Sequence, residues 1–379
     1  MTAEAPLRVG IDARCLNTRH LRGMGKYVSE MLAHTGAGEF EWHLFADRPG
    51  DPFHQPAGLR ARAEIFSFRG HRFHSWEQIG LPWRARRARV ALLHSTATTL
   101  PYWQSVPTVV TVHDTLPWEE SPPTGNFESW YLHKLIPSAL ARCWGIVTIS
   151  EASRRDILRL WPRTESKLHV IPHGVGDAYL DALPGAPSAH IQTLVGDSPY
   201  LLYIGGTLER KRFGWAERVF GAIDQPKLRL VACGFTAEEA AEARGRCTGP
   251  HRERIVFPSF VAEQEMPLLY RNAVAVIYPT LYEGFGLPAL ESQAVGTPVL
   301  FSALGSLAEL KGPGAEILPP EDFDAWVQTI RRLLRVRMSV PVQNDAARNW
   351  ARGFSWRESA LKHVRLYRQA ARALGTGGA

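Results

Sequence analysis

The most constraining feature of this chain is an alternation of short apolar runs with amphipathic helical stretches along nearly its whole length. This alternation is typical of parallel α/β structure, in which each strand is followed by a helix that covers the sheet. The pattern predicts a first series of strands at Leu7–Ile11, Phe40–Phe45, Ala63–Phe66, Val90–His94, Thr108–Val112, Gly145–Ile149 and Lys167–Ile171. It predicts a second series at Tyr200–Ile204, Leu228–Ala232, Arg254–Phe257, Ala273–Tyr278, Pro298–Phe301 and Glu316–Leu318.

A glycine- and proline-rich stretch, Pro172–Pro199, interrupts the alternation and is the predicted linker. It divides the chain into a first domain over residues 1–180 and a second over residues 181–355, and an amphipathic helix follows over about residues 356–374. Each domain is predicted to be a doubly wound, Rossmann-like α/β unit. Ligands of such sheets bind outside the carboxyl ends of the strands, and the two edges would face each other across a cleft.

Composition narrows the class of protein. The 379 residues are 45% hydrophobic and 21% charged, which is typical of a globular protein. The net charge is +7, and 37 of the 44 basic residues are arginine. Arginine pairs well with phosphate oxygens, although genome composition alone could also explain the excess.

Several classes of protein do not fit this sequence. No apolar run reaches the roughly 18 residues that span a bilayer. The first residues lack the pattern of a secretory signal, and the four cysteines are scattered without the spacing of metal ligands. A cytoplasmic protein is therefore expected.

The most informative segment is Thr280–Thr297, with the sequence TLYEGFGLPALESQAVGT. A predicted strand ends before it, and Gly284 and Gly286 lead into a helix. The first turn of such a helix presents N–H groups that can bind a diphosphate. Glu283 and Glu291 stand eight residues apart, so their carboxylates could reach different parts of one extended ligand that contains a ribose.

The segment EGFGLPALE resembles the E-x7-E motif of glycosyltransferase family 4, whose members are retaining sugar transferases with the GT-B fold. Other blocks resemble the same family in the same order, namely VGIDARCLNTRHLRGMGKY, TVHDTLP, VTISEASRRDI, VIPHGV, YIGGTLERKR and FSW. The first block is similar to the opening of the bacterial mannosyltransferase-like branch. The resemblance covers nearly the whole chain and implies two Rossmann-like domains, with the C-terminal helix crossing back to the first.

The resemblance also implies which residues bind the donor. Glu283 would contact hydroxyls of the donor sugar, and Glu291 would contact the ribose of its nucleotide. Arg210 and Lys211 match the basic pair that holds the donor phosphates, although a solvated charge cluster is the other interpretation. Many relatives have Gly-Arg where this chain has Gly205–Gly206. Further donor-side residues are expected to be Gly206, Val261, Gly284, Phe285, Gly286 and Leu287, with Val261 helping to hold the base.

Four residues of the first half are also candidates. His113 ends a predicted strand, a position that points toward the site, and by resemblance it would hydrogen-bond a hydroxyl of the donor sugar. Gly23 and Gly25 lie between the first strand and the first helix. They would let the helix N-terminus approach the donor phosphate or the acceptor. Asp12 flanks the acceptor side of the same loop, where binding and a structural salt bridge with Arg14 are both open.

The run Asp322-Phe323-Asp324 is a D-x-D sequence, which in another glycosyltransferase fold binds a metal–nucleotide complex. Here it precedes a predicted helix, and aspartate is favoured at the N-cap and in the first turn. We therefore expect it to cap the helix. No histidine or cysteine spacing indicates a zinc site, so no metal and no other cofactor are expected.

The segment Phe66–Arg89 is basic and aromatic. Trp76 and Trp83, close to the Arg84–Arg89 region, are consistent with anchoring at a membrane interface, and also with an ordinary solvated helix. Nucleic acid is not expected as a partner, because no binding motif accompanies the charge. The predicted location is the cytoplasm, with contact to the inner face of the membrane as an option.

The resemblance therefore implies a retaining hexosyltransferase of bacterial polysaccharide synthesis. It would move mannose from GDP-mannose to a hydroxyl of a glycan or polyprenyl-linked glycan acceptor, with a UDP- or dTDP-sugar as open alternatives for the donor. Two other functions remain open. One is another enzyme of the same fold, such as a sugar-nucleotide epimerase or a phosphorylase, and the other is a non-catalytic sugar-nucleotide-binding protein.

Overall fold

The computed structural model of the chain describes residues 6–36, 38–120, 124–182, 185, 188–258, 260–339 and 344–373. The chain divides into two compact units, Met1–Gly174 with Ser355–Ala379 and Val175–Phe354. Pro184 and Pro187 of the predicted linker, and the chain beyond Ala373, lie outside the described residues.

The first unit is built on a parallel sheet. Within the described ranges it has seven strands in the order β3-β2-β1-β4-β5-β6-β7, with every pair parallel. The strands are β1 (Leu7–Asp12), β2 (Phe40–Ala46), β3 (Ala61–Ile65), β4 (Leu92–Ser95), β5 (Thr108–Thr111), β6 (Gly145–Thr148) and β7 (Leu168–Val170). The order reverses at β1, next to β4, which is the switch point of a doubly wound sheet.

The second unit repeats this plan. Its described residues form a six-stranded parallel sheet in the order β10-β9-β8-β11-β12-β13. The strands are β8 (Tyr200–Ile204), β9 (Arg229–Cys233), β10 (Ile255–Val256), β11 (Ala275–Ile277), β12 (Val299–Phe301) and β13 (Ala315–Ile317). Here the order reverses between β8 and β11, so the ends of these two neighbouring strands are the expected place for a ligand.

Helices connect most of the successive strands in both units. The described α-helices of the first unit are α1 (Gly23–Ala33), α2 (Leu81–Arg87), α3 (Leu116–Glu119), α4 (Phe127–Trp130), α5 (Ile136–Arg142), α6 (Glu151–Leu160) and, at the end of the chain, α15 (Trp356–Ala373). Those of the second unit are α7 (Asp177–Leu180), α8 (Ala189–Val195), α9 (Phe213–Gly221), α10 (Ala237–Arg246), α11 (Met266–Asn272), α12 (Leu287–Ala294), α13 (Phe323–Ser339) and α14 (Asp345–Ala351). Wide π-type turns at Arg72–Gly80 and Tyr131–Leu135 precede α2 and α5.

The apolar strand sequences follow from burial on both faces of each sheet. The strands β5, with the sequence TVVT, and β6, with GIVT, are buried at every position. Parallel strands covered by helices on both sides lose the alternation of polar and apolar residues for this reason. In the second unit, Trp215 and Phe220 of α9 pack with Trp326 of α13 in the core.

The C-terminal helix α15 belongs to the first unit, as predicted. Its Tyr367 is fully buried, and the Tyr367 hydroxyl lies 2.7 Å from Nδ1 of His94 on β4. His363, one turn earlier, places Nε2 2.8 Å from the Tyr27 hydroxyl of α1. Because these buried polar groups satisfy one another, they fix the helix on this sheet.

Some sequence predictions need correction. The predicted linker Pro172–Pro199 contains helices α7 and α8, and Ser188 caps α8 by accepting a hydrogen bond from the Ile191 N–H. The boundary between the units falls at its start, between Gly174 and Val175. The first helix begins at Gly23, so Gly23 and Gly25 lie within its first turn and not before it. No helix within the described ranges combines the length and the apolar character needed to cross a bilayer.

Candidate functional site

Two glycine turns lie side by side at the carboxyl ends of β8 and β9. Gly206 and Gly234 have φ of +66° and +97°, a left-handed conformation that favours glycine. A Cβ atom at Gly206 would come within 2.6 Å of the Gly234 carbonyl oxygen. The backbone at this position therefore requires glycine. Any positive charge beside these turns has to come from other residues.

That charge comes from Arg210 and Lys211, which lie in a short 3-10 turn before α9. The Lys211 ammonium group donates a hydrogen bond to Oε1 of Glu283, and Nη1 of Arg210 lies 3.4 Å from the same oxygen. Nη1 of Arg210 also donates to the Tyr282 carbonyl at 2.8 Å. The structure thus brings together three of the predicted site residues at the neighbouring ends of β8 and β11.

The Lys211–Glu283–Arg210 cluster is partly open. The exposed fractions of the side chains are 13% for Lys211, 11% for Glu283 and 25% for Arg210. Charges at this depth are weakly screened but remain accessible to a small anionic ligand. Two cations and one carboxylate leave one surplus positive charge next to the glycine turns. An anion such as a diphosphate fits this balance.

Two residues missed by the sequence prediction support Glu283. The Thr280 hydroxyl donates to Oε1 of Glu283 at 2.8 Å, and the Tyr278 hydroxyl lies 3.3 Å from the Lys211 ammonium group. Burial and the neighbouring Glu283 carboxylate raise the pKa of Tyr278 well above its ordinary value, so it stays a neutral phenol. Both residues stand within three residues of the end of β11, and this position is the one sequence signal that could have indicated them.

The loop after Glu283 is shaped by glycine. Gly286 has φ of +103° and precedes α12, and a Cβ atom there would lie 2.5 Å from a methyl carbon of Leu307. The Ser306 hydroxyl donates to the carbonyl oxygens of Glu283 and Phe285 at 2.5 and 3.1 Å. No side chain caps α12, so Gly284, Phe285, Gly286 and Leu287 bring the chain to an uncapped helix N-terminus. Such an end attracts phosphate.

Glu291 lies farther along α12 in a separate polar group. It is 7% exposed, and its Oε2 accepts a hydrogen bond from the Tyr270 hydroxyl at 2.8 Å. Burial and the Glu291 carboxylate raise the pKa of Tyr270 and of Tyr179 well above the ordinary value. Val261 is half-buried in the loop that precedes α11. Glu291 is therefore held by a hydrogen-bond network that is separate from the Lys211–Glu283–Arg210 cluster.

The other predicted site residues lie in the first unit. His113 follows β5 and is 8% exposed, with Nε2 2.9 Å from the Thr96 carbonyl oxygen. Burial lowers the pKa of His113 to about 4, although the bond to Thr96 acts in the opposite direction. The imidazole is therefore neutral near pH 7, with Nε2–H as donor. Such a ring can hydrogen-bond a hydroxyl but cannot supply a proton as an acid at neutral pH.

Asp12 lies in a fully buried ion-pair network. Nη2 of Arg14 lies 2.6 Å from Oδ2 of Asp12 and 2.5 Å from Oε2 of Glu77. The Tyr131 and Thr99 hydroxyls donate to Glu77 at 2.6 and 2.7 Å. Of the two interpretations left open for Asp12, the structure shows the salt bridge. The Asp12 carboxylate is fully buried, so it is not accessible to an acceptor substrate.

Gly23 and Gly25 occupy the first turn of α1. A Cβ atom at Gly25 would come within 2.7 Å of the Cys15 carbonyl oxygen, so glycine is required there for close packing. Gly23 has open space around it, and no side chain caps α1. The helix N-terminus is therefore approachable at Gly23, whereas Gly25 acts by packing.

The D-x-D sequence forms a helix cap. Oδ1 of Asp322 accepts a hydrogen bond from the Ala325 N–H at 3.0 Å, at the start of α13. The capping interpretation is confirmed. Across the described residues, no group of three or more His, Cys, Asp or Glu side chains has the arrangement of a metal site. The expectation of a site without metal or cofactor remains a prediction.

The basic aromatic segment differs from the prediction at one residue. Trp76 is 1% exposed and packs with Phe45 and Leu81, and its Nε1–H donates to the Phe66 carbonyl at 3.0 Å. It cannot anchor the protein to a membrane, because it is part of the core. Trp83 is 46% exposed and remains available.

These features define a class of protein. Two doubly wound α/β units, one of them carrying a cation–carboxylate cluster beside an uncapped helix, are typical of enzymes that use nucleotide-linked substrates. The family model described as Glycosyltransferase Family 4 matches residues 21–178, and the one described as Glycosyl transferases group 1 matches residues 198–336. Together the two matches cover well over half of the chain. The chain therefore belongs to the group 1 and family 4 glycosyltransferases.

Relatives of established name agree with this assignment. O-antigen chain mannosyltransferase B of Escherichia coli is 26% identical over 243 residues, which cover 63% of this chain and 64% of that protein. MMP alpha-(1->4)-mannosyltransferase of Mycolicibacterium hassiacum is 30% identical over 235 residues, which cover 59% of this chain and 54% of that protein. The matched region thus spans less than two thirds of the length of these relatives.

Solved structures extend the likeness over nearly the whole chain. Sucrose-phosphate synthase from Thermosynechococcus elongatus has a TM-score of 0.74 at 20% identity, and the match covers 97% of this chain and 100% of that one. HepE of Anabaena, solved in complex with UDP and glucose, has a TM-score of 0.71 at 15% identity over 96% and 100% of the two chains. At these identities the likeness concerns the fold alone, and the predicted GT-B fold is confirmed.

Proposed function

We propose that this chain is a retaining glycosyltransferase that moves a hexose from a nucleoside-diphosphate sugar to a hydroxyl of a glycan acceptor. The observation that supports it most is the meeting of Arg210, Lys211 and Glu283 beside the N-terminus of α12. Family membership indicates the class of reaction, and this cluster provides the charges that the reaction needs.

The cations act on the leaving group. When the bond between the anomeric carbon and the diphosphate oxygen breaks, negative charge builds up on the diphosphate. Lys211 and Arg210 stabilise that charge together with the first N–H groups of α12. Arg210 has the more exposed side chain of the two, at 25% against 13%. Of the two cations, Arg210 is therefore the more accessible to a bound diphosphate.

No carboxylate needs to act as a nucleophile. The acceptor oxygen bonds to the anomeric carbon on the face from which the diphosphate departs, and its proton passes to the diphosphate. Glu283, held by Thr280 and Lys211, accepts hydrogen bonds from hydroxyls of the sugar. His113, neutral because burial lowers its pKa to about 4, contributes a hydrogen bond and not a proton.

We favour mannose from GDP-mannose as the transferred group. Two relatives of established name are mannosyltransferases, and they match about three fifths of this chain. In this proposal Glu291 binds the ribose and Val261 borders the base. Because one of the two relatives is named for the O-antigen chain, the proposed acceptor is a glycan or a polyprenyl-linked glycan of polysaccharide synthesis.

Contact with the inner face of a membrane is part of the proposal. Trp83 of α2 is 46% exposed, and Ile79, in the π-type turn before α2, is 55% exposed. Exposed aromatic and aliphatic side chains beside arginine are suited to the interface between lipid and water. Such contact would bring the enzyme to a lipid-linked acceptor.

A panel of nucleotides and one variant test the proposal. In a thermal-shift screen of the full chain, GDP and GDP-mannose are expected to raise the midpoint more than UDP, dTDP and their sugars, because ligands that bind the folded state stabilise it. With an acceptor, GDP release is expected from wild type. In Glu283→Gln the turnover should fall by about 10²-fold, the lower end of the effect of losing one group that stabilises the transition state.

Glu238→Gln is the matched control, since Glu238 is exposed in the first turn of α10. Wild-type turnover in Glu283→Gln would overturn the proposal. So would release of a free sugar epimer without any acceptor, which would indicate an epimerase. Nucleotide binding with no turnover across a panel of glycan acceptors would favour a binding protein instead.

A further inference from the structure

A patch of charged residues lies on one face of the first sheet, where parallel strands are normally apolar. In the register of β1 and β2, Arg8 pairs with Glu41 and Gly10 with His43. In the register of β2 and β3, His43 pairs with Arg62. Because side chains alternate between the two faces, these residues share one face of the sheet. They lie near the amino ends of the strands.

Helix α2 and the turn after it complete a cavity over this patch. The cavity has a volume of about 320 Å³. Its lining includes five arginines and a histidine, namely Arg8, Arg62, Arg84, Arg87, Arg89 and His43. It is separate from the candidate site residues of this unit, because His113 and Asp12 stand at the carboxyl ends of β5 and β1.

The positive charge of the cavity is only partly balanced. Glu41 lies 2.9 Å from Nε of Arg8 and 3.1 Å from Nη2 of Arg62. The other carboxylate, Glu64, lies 3.5 Å from Nη1 of Arg84. In the described part of the chain, no carboxylate lies within ion-pair distance of Arg87 or Arg89. The five arginines therefore exceed the two carboxylates by three charges.

His43 is the buried polar group of the cavity. It is 3% exposed, and its Nδ1 atom has no hydrogen-bond partner among the described residues. Its Nε2 atom lies 3.4 Å from Oε1 of Glu41, and neither of these two atoms has a hydrogen-bond partner among the described residues. Nε of Arg84 is also buried without a partner. Unsatisfied buried polar atoms are rare in folded proteins, and a bound ligand is one of their causes.

Arg89 adds a conformational observation. Its φ of +54° is left-handed, a conformation that costs about 1–2 kcal/mol for a residue other than glycine. Glycine would relieve this cost, yet the chain places an arginine at this position, where it lines the cavity. Strained backbone that persists in this way is often associated with a functional site.

We propose that this cavity binds a phosphate group, as a phosphate monoester or a diphosphate, at a site separate from the sugar-transfer site. Arginine forks match phosphate oxygens in geometry and charge. Protection of an edge strand by charge is the simpler explanation for Arg62 and Glu64 on β3. It does not account for His43 on the inner strand β2, or for Arg89 outside the sheet. The inference does not depend on the transfer reaction.

The test uses a signal located in the cavity. Full-length protein labelled in its 14 histidines is titrated with inorganic pyrophosphate at constant ionic strength, and the ring signals are recorded by NMR. The His43 signal is assigned by its absence from His43→Gln. We expect that signal to shift to saturation with one affinity. Because the probe is local, binding of pyrophosphate elsewhere does not obscure the result.

Arg89→Gly separates ligand binding from stability. The substitution relieves the left-handed φ and removes one guanidinium, so the thermal midpoint should stay equal or rise. The affinity measured at His43 should fall by about 10-fold or more, the effect of losing a charge-assisted hydrogen bond. Arg86→Ala, which removes the same charge from an exposed position of α2 outside the cavity lining, should change the affinity less than about 3-fold.

Vesicles distinguish the source of the phosphate. Sedimentation with phosphatidylglycerol vesicles that is lost in Arg89→Gly, with no binding to phosphatidylcholine, would support a lipid headgroup. A His43 shift with pyrophosphate but no vesicle binding would support a soluble phosphate compound. Absence of any His43 shift at millimolar pyrophosphate would overturn the proposal. Equal losses of affinity in Arg89→Gly and Arg86→Ala would also overturn it, because they would indicate diffuse attraction.

Discussion

The two units each contain a cluster of cation and carboxylate, and the clusters differ in how they are closed. In the first unit the Asp12–Arg14–Glu77 network has side chains that are at most 3% exposed. Thr99 and Tyr131 occupy further acceptor positions of Glu77. In the second unit the Lys211–Glu283–Arg210 cluster has side chains that are 11 to 25% exposed. The cluster of the first unit is therefore closed to solvent, whereas the cluster of the second unit is partly exposed to it.

The difference separates a structural role from a ligand-binding role. Burial alone disfavours the charged form of Arg14, but the Asp12 and Glu77 carboxylates outweigh it and raise its pKa. A buried network of this kind is satisfied by protein groups and gains nothing from a ligand. The open cluster has a surplus cation beside glycine turns and a helix N-terminus. Substitutions should therefore reduce stability in the first unit and activity in the second.

The largest effect is expected for Arg14→Met. Removing the guanidinium leaves the buried Asp12 and Glu77 carboxylates without a cation, and breaking a buried ion pair in this way costs about 3–5 kcal/mol of folding free energy. Urea unfolding measures the loss. Arg159→Met, which breaks an exposed pair with Glu119, should cost less than about 1 kcal/mol. Equal costs for the two variants would contradict the view that the first cluster is structural.

The second-largest expected effect is a loss of folding stability in the first unit as the pH is lowered. Burial lowers the pKa of His113 and of His363 to about 4, against an ordinary 6.5, and that of His94 and His173 well below 6.5. The unfolded chain therefore binds protons first as the pH falls, so stability is full above about 6.5 and is lost between 6.5 and 4. At pH 5, His113 and His363 would each account for about 2 kcal/mol of that loss.

Hydrogen exchange can assign this acid effect to a unit. The only histidines in the sequence of the second unit, Val175–Phe354, are His190 and His251. Amides of the first unit should lose protection between pH 7 and pH 5, after correction for intrinsic rates, while amides of the second unit should lose less. His113→Gln should reduce the pH dependence of the first unit. Simultaneous loss of protection in both units would contradict the prediction.

The third effect concerns the open cluster. Lys211→Met should lower kcat for sugar transfer by about 10²–10³-fold, since loss of one group that stabilises charge in a transition state costs about 2.7–4 kcal/mol. The thermal midpoint should change less than in Arg14→Met, because the cluster is partly solvated. Lys311→Met is the control, since Lys311 is exposed in the same unit. A similar loss in both lysine variants would mean that the effect is not local.

Patterns local in sequence predicted most of the fold. The strands of both sheets were predicted within about two residues, because buried parallel strands are apolar runs that periodicity detects. The grouping of Arg210, Lys211 and Glu283 was also predictable, since all three follow strand ends at one sheet edge. The site assignments themselves remain predictions.

The missed features depend on distant contacts. Glu77 is 63 residues from Arg14, and no spacing in the sequence connects the two. Trp76 stands in a basic segment whose composition predicts an exposed helix. In the structure the segment forms a wide π-type turn, and the Trp76 side chain lies in the core. The cavity around His43 combines residues of three strands and one helix. Tertiary packing determines such sites, so local propensity cannot reveal them.

The smallest expected effect concerns a third kind of carboxylate, which accepts a hydrogen bond from the backbone at the start of a helix. The exposed Asp322 accepts a hydrogen bond from the Ala325 N–H at the start of α13, so Asp322→Ala should cost about 1 kcal/mol of folding free energy. Transfer activity should stay within about 2-fold of wild type. Asp324→Ala, one position inside the helix, should cost less. If both variants instead lost activity, and added divalent metal restored it, the pair would bind metal. Asp322 would then be a functional carboxylate outside the Lys211–Glu283–Arg210 cluster, and the contrast between buried structural carboxylates and partly exposed functional ones would not describe it.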